Sequence, residues 1–102
     1  MKEEIFGSVV SINTFKTDDE ALRLANDTEY GLHASVYTKD LDRALKFARG
    51  LEAGDVGVNC TSPTNAHDLA FGGWKGSGQG RERIVDFLDH YLEHKTVIIK
   101  TG

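Results

Sequence analysis

Cysteine and proline occur once each in this 102-residue sequence, as Cys60 and Pro63. A single thiol excludes an internal disulfide, and Cys60 forms no metal-ligand spacing with His33, His67, His90 and His94, so no structural metal is expected. Charge of one sign is also in short supply. Twelve basic and 16 acidic residues leave a formal net charge of -4, mixed along the chain with no cationic cluster to match a phosphate backbone, so nucleic acid is not an expected partner. No apolar run reaches the length of a membrane span, and Met1 to Glu4 lead into no signal-type apolar core. A membrane role is therefore not expected, and the cytoplasm is the expected compartment. Repeats and low-complexity tracts are absent. What is present, 39% hydrophobic and 27% charged residues, is the composition of one small soluble globular domain.

Hydrophobic periodicity predicts alternating strands and helices. Val9, Val10, Ile12 and Phe15 form a short β-branched and aromatic run that reads as a strand. Thr17 with Glu20 three residues later makes a capping box, and Ala21, Leu22, Leu24 and Ala25 give the following helix an apolar stripe. Asn26-Asp27-Thr28 weakens that helix, and Gly31 turns the chain into a second strand at Ala34 to Thr38. Asp40 caps a second helix whose Leu41, Ala44, Leu45 and Ala48 share one face. Val56 and Val58 alternate with Gly57 and Asn59 as a third strand. Strands separated by helices favour parallel pairing, because a parallel neighbour needs a long crossover. The fold class is therefore α/β, a partial parallel sheet with flanking helices.

From Cys60 to about Arg81 neither period holds, and Gly, Ser, Thr, Asn and Asp dominate. Loops this long in a small chain are functional or disordered. This one is not a phosphate cradle: no Gly-Lys-Ser/Thr closes a Walker loop, and in Gly76-Ser77-Gly78-Gln79-Gly80-Arg81 the arginine stands where a dinucleotide fingerprint needs glycine. A third helix is predicted from about Glu82 to His94, with Ile84, Phe87, Leu88 and Tyr91 on one face and Val85 and Leu92 beside it. Thr96 to Lys100 reads as a last strand. These elements need more apolar cover on both sheet faces than a chain of this size supplies.

Two segments carry a resemblance. Glu3-Glu4-Ile5-Phe6-Gly7 and Phe71-Gly72-Gly73-Trp74-Lys75-Gly76-Ser77-Gly78-Gln79-Gly80-Arg81-Glu82 both look like signatures of the NAD(P)-dependent aldehyde dehydrogenases. Between them, Ala25 to Leu32 resembles the family's helix-to-strand connection, and Ala53 to Asn59 resembles the strand that enters its substrate loop. The resemblance covers essentially the whole chain in order. It implies that residues 1–94 are the C-terminal part of an aldehyde dehydrogenase catalytic domain, and that residues 95–102 are a terminal strand of the oligomerisation type.

The same resemblance implies roles. Glu4 would accept hydrogen bonds from the nicotinamide ribose hydroxyls, as an acceptor-only carboxylate facing two donors. Phe6 would pack beside the nicotinamide ring, as an aromatic wall that leaves the ring's polar edge free. Taken without the Gly-rich signature, Glu3 and Glu4 are solvated charges and Phe6 a core residue. Phe71 would line the aldehyde tunnel, with Asn59 to Ala70 as its variable side, and Trp74 would be core or subunit-contact material. Ser8 and Ala70 stand where the family pattern has proline, which relaxes the backbone at both places.

No catalytic residue is assigned. The family's cysteine nucleophile, general-base glutamate and oxyanion-hole asparagine all precede the Glu-x-Phe-Gly element, as does the Gly-rich dinucleotide half. Cys60 is accordingly read as a small buried thiol. The expectation is a truncated aldehyde dehydrogenase-family chain, inactive alone, whose parent uses NAD or NADP. Two alternatives stand beside it. One is a non-catalytic interaction module that associates with a full-length aldehyde dehydrogenase, or with itself, through the terminal strand. The other is a small nucleotide-binding domain resting on Glu4 and Phe6. The sequence does not distinguish NAD from NADP or name the aldehyde.

Overall fold

The computed structural model describes residues 3–61, 68–83 and 85–102. Its first regular element is the helix α1, Asp18–Asn26. Thr17 caps it, with Glu20 N donating to Thr17 Oγ1 at 3.2 Å, while Lys16 N donates to Glu20 Oε2 at 2.8 Å. The box thus closes one residue further back than its usual form, on the amide of Lys16. Three acidic residues, Asp18, Asp19 and Glu20, sit in the first turn, where the helix dipole favours negative charge.

After α1 come β1 (Tyr30–Gly31) and β2 (His33–Val36). The helix α2, Leu41–Gly50, starts at Asp40, whose Oδ1 accepts from Arg43 N at 2.9 Å. It returns the chain to β3, Asp55–Val58, which pairs in parallel with β2 from His33↔Asp55 to Val36↔Val58. This is the crossover unit that the strand-helix-strand pattern requires. Its core is small: Ala44, Phe47, Leu51 and Ala53 are the buried apolar residues among those described, set where α2 packs on β2 and β3. Leu22 of α1 lies against Gly50, and the ion pairs Arg43–Asp18 and Lys46–Asp19 join the two helices at their surface.

The remaining elements depart from the periodicity. Val9 to Phe15 form no strand and are exposed. No strand pairs with this segment among the described residues, and a strand without a ladder gains nothing to offset its ordering. The parallel sheet accordingly has two strands, and β1 belongs to a second pair, antiparallel to β4 (Trp74–Lys75). Near the end, a 3₁₀ helix spans Val85–Tyr91, where a longer α-helix was expected, and Phe87 and Tyr91 meet edge to face at 5.9 Å. Ile84 lies outside the described residues. Thr96 to Lys100 also form no strand, for want of a partner, and Val97, Ile98 and Ile99 are exposed.

Candidate functional site

The Gly-rich loop is closed at its base and fastened at its tip. At the base, Phe71 and Glu82 exchange both backbone hydrogen bonds, at 2.9 and 2.8 Å. Arg81 reinforces this closure by donating from Nη1 to the carbonyls of Gly73 and Gly80, at 3.2 and 2.6 Å. At the tip, β4 pairs with β1, Gly76 N donates to Glu29 O at 2.8 Å, and Gly31 N donates to Ser77 Oγ at 2.9 Å. Gly80 has φ +77, a left-handed conformation that suits glycine. At Gly54 the reason for glycine is contact: a Cβ there would overlap the carbonyl of Gly72, so the loop rests directly on the turn before β3.

A polar latch centred on Asn26 and Lys75 holds the tip. Asn26 Nδ2 donates to Gly50 O at 2.7 Å, and Glu52 N donates to Asn26 Oδ1 at 2.9 Å, tying the end of α1 to the end of α2. Lys75 Nζ donates to Asn26 O at 2.9 Å and Thr28 O at 3.2 Å and pairs with the Glu52 carboxylate. One ammonium therefore spans three partners on two connections. Its φ of +52 turns the chain sharply enough to bring it there.

Two grooves flank this loop. The first, of 580 Å³, is lined by Glu3 and Glu4 together with Asn26, Tyr30, Leu32 and Ser77. The second, of 430 Å³, is lined by Phe71 with Arg81, Phe87, His90 and Tyr91, and again by Leu32 and Ser77. Leu32 and Ser77 thus line both grooves, with Glu4 in the first and Phe71 in the second. Glu4 lines the first groove, is exposed, and has no hydrogen-bond partner among the described residues. Phe6 lies in neither groove and is 93% exposed. Over the Phe71 ring sits the guanidinium of Arg83, 4.9 Å from the centroid, a cation–π contact.

Beyond the carboxyl ends of β2 and β3, where parallel sheets place ligands, Asn59 closes the sheet. It has φ +57, and its amide copies a ladder by accepting from Thr38 N at 2.9 Å and donating to Thr38 O at 3.0 Å. Cys60 follows and is exposed, which corrects the expectation of a buried thiol. The chain folds back so tightly at Gly57 that the Cys60 backbone, not its sulfur, faces the strand most closely. Trp74 is likewise half-exposed, on the short β4 strand. Residues 62–67 of the expected tunnel side lie outside the described residues.

Sequence reasoning singled out Glu4, Phe6 and Phe71 but missed Asn26, Lys75, Glu52 and Ser77. Each of these four acts across 23 or more positions, so no local period could reveal it. Arg83 was missed as well, because it reads as an ordinary charge at the start of a helix.

Comparison with known proteins identifies the family. Residues 1–97 match the model of the aldehyde dehydrogenase family, and the chain belongs to that family. It is 53% identical over 98 residues to an aldehyde dehydrogenase of Rhodospirillum rubrum. Among solved structures it resembles the indole-3-acetaldehyde dehydrogenase AldA of P. syringae in complex with NAD+ and IAA, at TM-score 0.85 and 46% identity over 98% of the chain. It also resembles betaine aldehyde dehydrogenase of Staphylococcus aureus in complex with NAD+, at TM-score 0.82 and 42% identity over 90% of the chain. The chain spans only 19% of the R. rubrum protein, 20% of the AldA chain and 18% of the betaine aldehyde dehydrogenase chain.

Proposed function

We propose that this chain is the C-terminal segment of an NAD(P)-dependent aldehyde dehydrogenase and forms one wall of its active site. On this reading residues 1–94 belong to the catalytic domain, and residues 95–102, which form no strand in this structure, become a strand of the oligomerisation type only on pairing with a neighbour. The observation that supports the reading is the shared Leu32–Ser77 wall, with Glu4 lining the groove on one side and Phe71 the adjoining one.

A dinucleotide and an aldehyde need such adjoining compartments, because the hydride passes directly between them. Glu4 suits the nicotinamide ribose, since its oxygens are free to accept from two hydroxyls. Phe6, exposed as it stands, supplies a flat apolar wall for the nicotinamide ring. Phe71 lines the aldehyde passage, and the Arg83 guanidinium lies over its ring. The bound cofactor would supply the hydride acceptor; this chain's residues bind, orient and exclude water. They supply no nucleophile, because Cys60 belongs to the substrate loop and not to the family's catalytic cysteine motif.

The test is direct. Purified alone and given NAD or NADP with aliphatic and aromatic aldehydes, the chain is expected to form no NAD(P)H. Grafted into the R. rubrum relative in place of its matched 98 residues, it is expected to support turnover. Turnover by the isolated chain, whether or not it survives Cys60→Ala, or an inactive graft that is folded, contradicts the reading.

A further inference from the structure

Lys75 lines neither groove, yet the three residues it holds all line the first. The carbonyls of Asn26 and Thr28 accept from its Nζ, and the Glu52 carboxylate pairs with it. Asn26, Thr28 and Glu52 stand in the groove that Glu4 also lines. The strand that carries Lys75 leads to the second groove. Gly73 precedes β4 and Ser77 follows it, and both line the groove of Phe71.

Donors and acceptors match here without remainder. An ammonium carries three N–H donors, and Lys75 meets three acceptors. The first of these, the Asn26 carbonyl, is held in place by its own side chain, which accepts from Glu52 N and donates to Gly50 O. On the loop side, Gly73 and Ser77 touch so closely that a Cβ on Gly73 would lie 2.4 Å from the Ser77 Cβ. Ser77 Oγ in turn accepts from Gly31 N beside Leu32. Every partner in this set lies within the chain, and the Lys75 side chain is only 27% exposed. The ammonium therefore ties the lining of one groove to the lining of the other.

We propose that Lys75 is a positioning residue for hydride transfer: through these bonds it sets the Leu32–Ser77 wall, and with it the register of the two compartments. The inference rests on the reading of the grooves given above. In that reaction a C–H bond at the substrate carbon breaks, and the hydrogen leaves with both electrons for the nicotinamide. The substrate carbon is oxidised and NAD(P) is reduced. Such a transfer needs its two carbons in close register, and a displacement of about 1 Å set by a distant change costs up to about a hundredfold in rate. Lys75 touches neither reactant. Its loss therefore slows the transfer in every molecule and does not reduce the number of molecules able to react.

The experiment uses the R. rubrum relative that carries this chain in place of its matched 98 residues. Single-turnover NADH formation is followed in the phase slowed by deuterium at the transferred position of the aldehyde. Lys75→Met is expected to lower the rate constant of that phase by about tenfold or more, with the amplitude per folded molecule kept. Lys75→Arg should fall between, because a planar guanidinium keeps the charge but spreads its donors; it carries the test if the methionine variant does not fold. Without cofactor, deuterium uptake in Lys75→Met should rise together in residues 26–32 and 73–77, the linings of the two grooves. A rate constant like the parent's in both variants, a lower amplitude at the parent's rate constant, or uptake that rises in one segment alone overturns the proposal. An inactive but folded parent graft overturns the groove reading and this proposal with it, whereas an active parent with unmoved variants overturns this proposal alone.

Discussion

Lys75 Nζ donates to the carbonyl of Asn26 at 2.9 Å, and this one bond couples the Gly-rich loop to the end of α1. The same ammonium reaches Thr28 O and Glu52. Glu52 is about half exposed, so the ion pair itself contributes little after solvent screening. The two carbonyl bonds carry the latch, as charge-assisted donors to backbone. Lys75→Met is expected to speed hydrogen exchange at the Gly31 and Gly76 amides by about tenfold, with Lys75→Arg intermediate. Unchanged exchange in the methionine variant would show that the loop is held by its backbone pairs alone.

Asn59 is expected to tolerate no substitution without cost. Asn59→Ala removes both bonds to Thr38 and places a Cβ-bearing residue with no compensating side chain at positive φ. The loss should be about 1–3 kcal/mol by denaturant unfolding. Asn59→Gly keeps the backbone conformation and loses only the bonds, so it should fall between alanine and the parent. An alanine variant as stable as the parent would contradict the sheet-closing role.

Gly54→Ala should be among the most damaging single-methyl additions, because the new Cβ meets the Gly72 carbonyl, which is backbone and cannot rotate away. A loss of about 1–3 kcal/mol is expected. Gly7→Ala is the contrasting case, since nothing lies within 4 Å of its Cβ position and any cost there comes from its φ of +156. A Gly54→Ala variant as stable as the parent would remove the direct contact from the account.

Thr17→Ala and Asp40→Ala each free one amide at a helix start and should each cost about 1 kcal/mol of helix stability. Helical circular dichroism under increasing denaturant measures this. No shift for Asp40→Ala would mean that the Arg43 amide finds another acceptor.

These two caps were legible in the sequence because an N-cap is written in residues three apart. The β2–α2–β3 crossover was legible for a similar reason, since helix and strand periods are local. The strands expected at 9–15 and 96–100 were not realised, because a strand depends on a paired neighbour and neither segment pairs with a strand among the described residues. The third helix shortened to a 3₁₀ turn for a related cause: its apolar face has little to pack against, so the sequence period lacked the burial that stabilises an amphipathic helix. The grooves were half legible. Glu4 and Phe71 stood out through family motifs, while the latch that frames them joins Asn26, Gly50, Glu52 and Lys75 across distances no motif spans.

The central claim is that this chain lends an acceptor and two aromatic walls to an active site whose chemistry lies elsewhere. Steady-state kinetics of the R. rubrum graft carrying Glu4→Gln, beside the same graft carrying Glu3→Gln, tests it most directly. The account predicts that Glu4→Gln raises KM for NAD about tenfold, the loss of one charge-assisted bond, while Glu3→Gln leaves KM unchanged. Equal KM values for the two variants and the parent graft would contradict it.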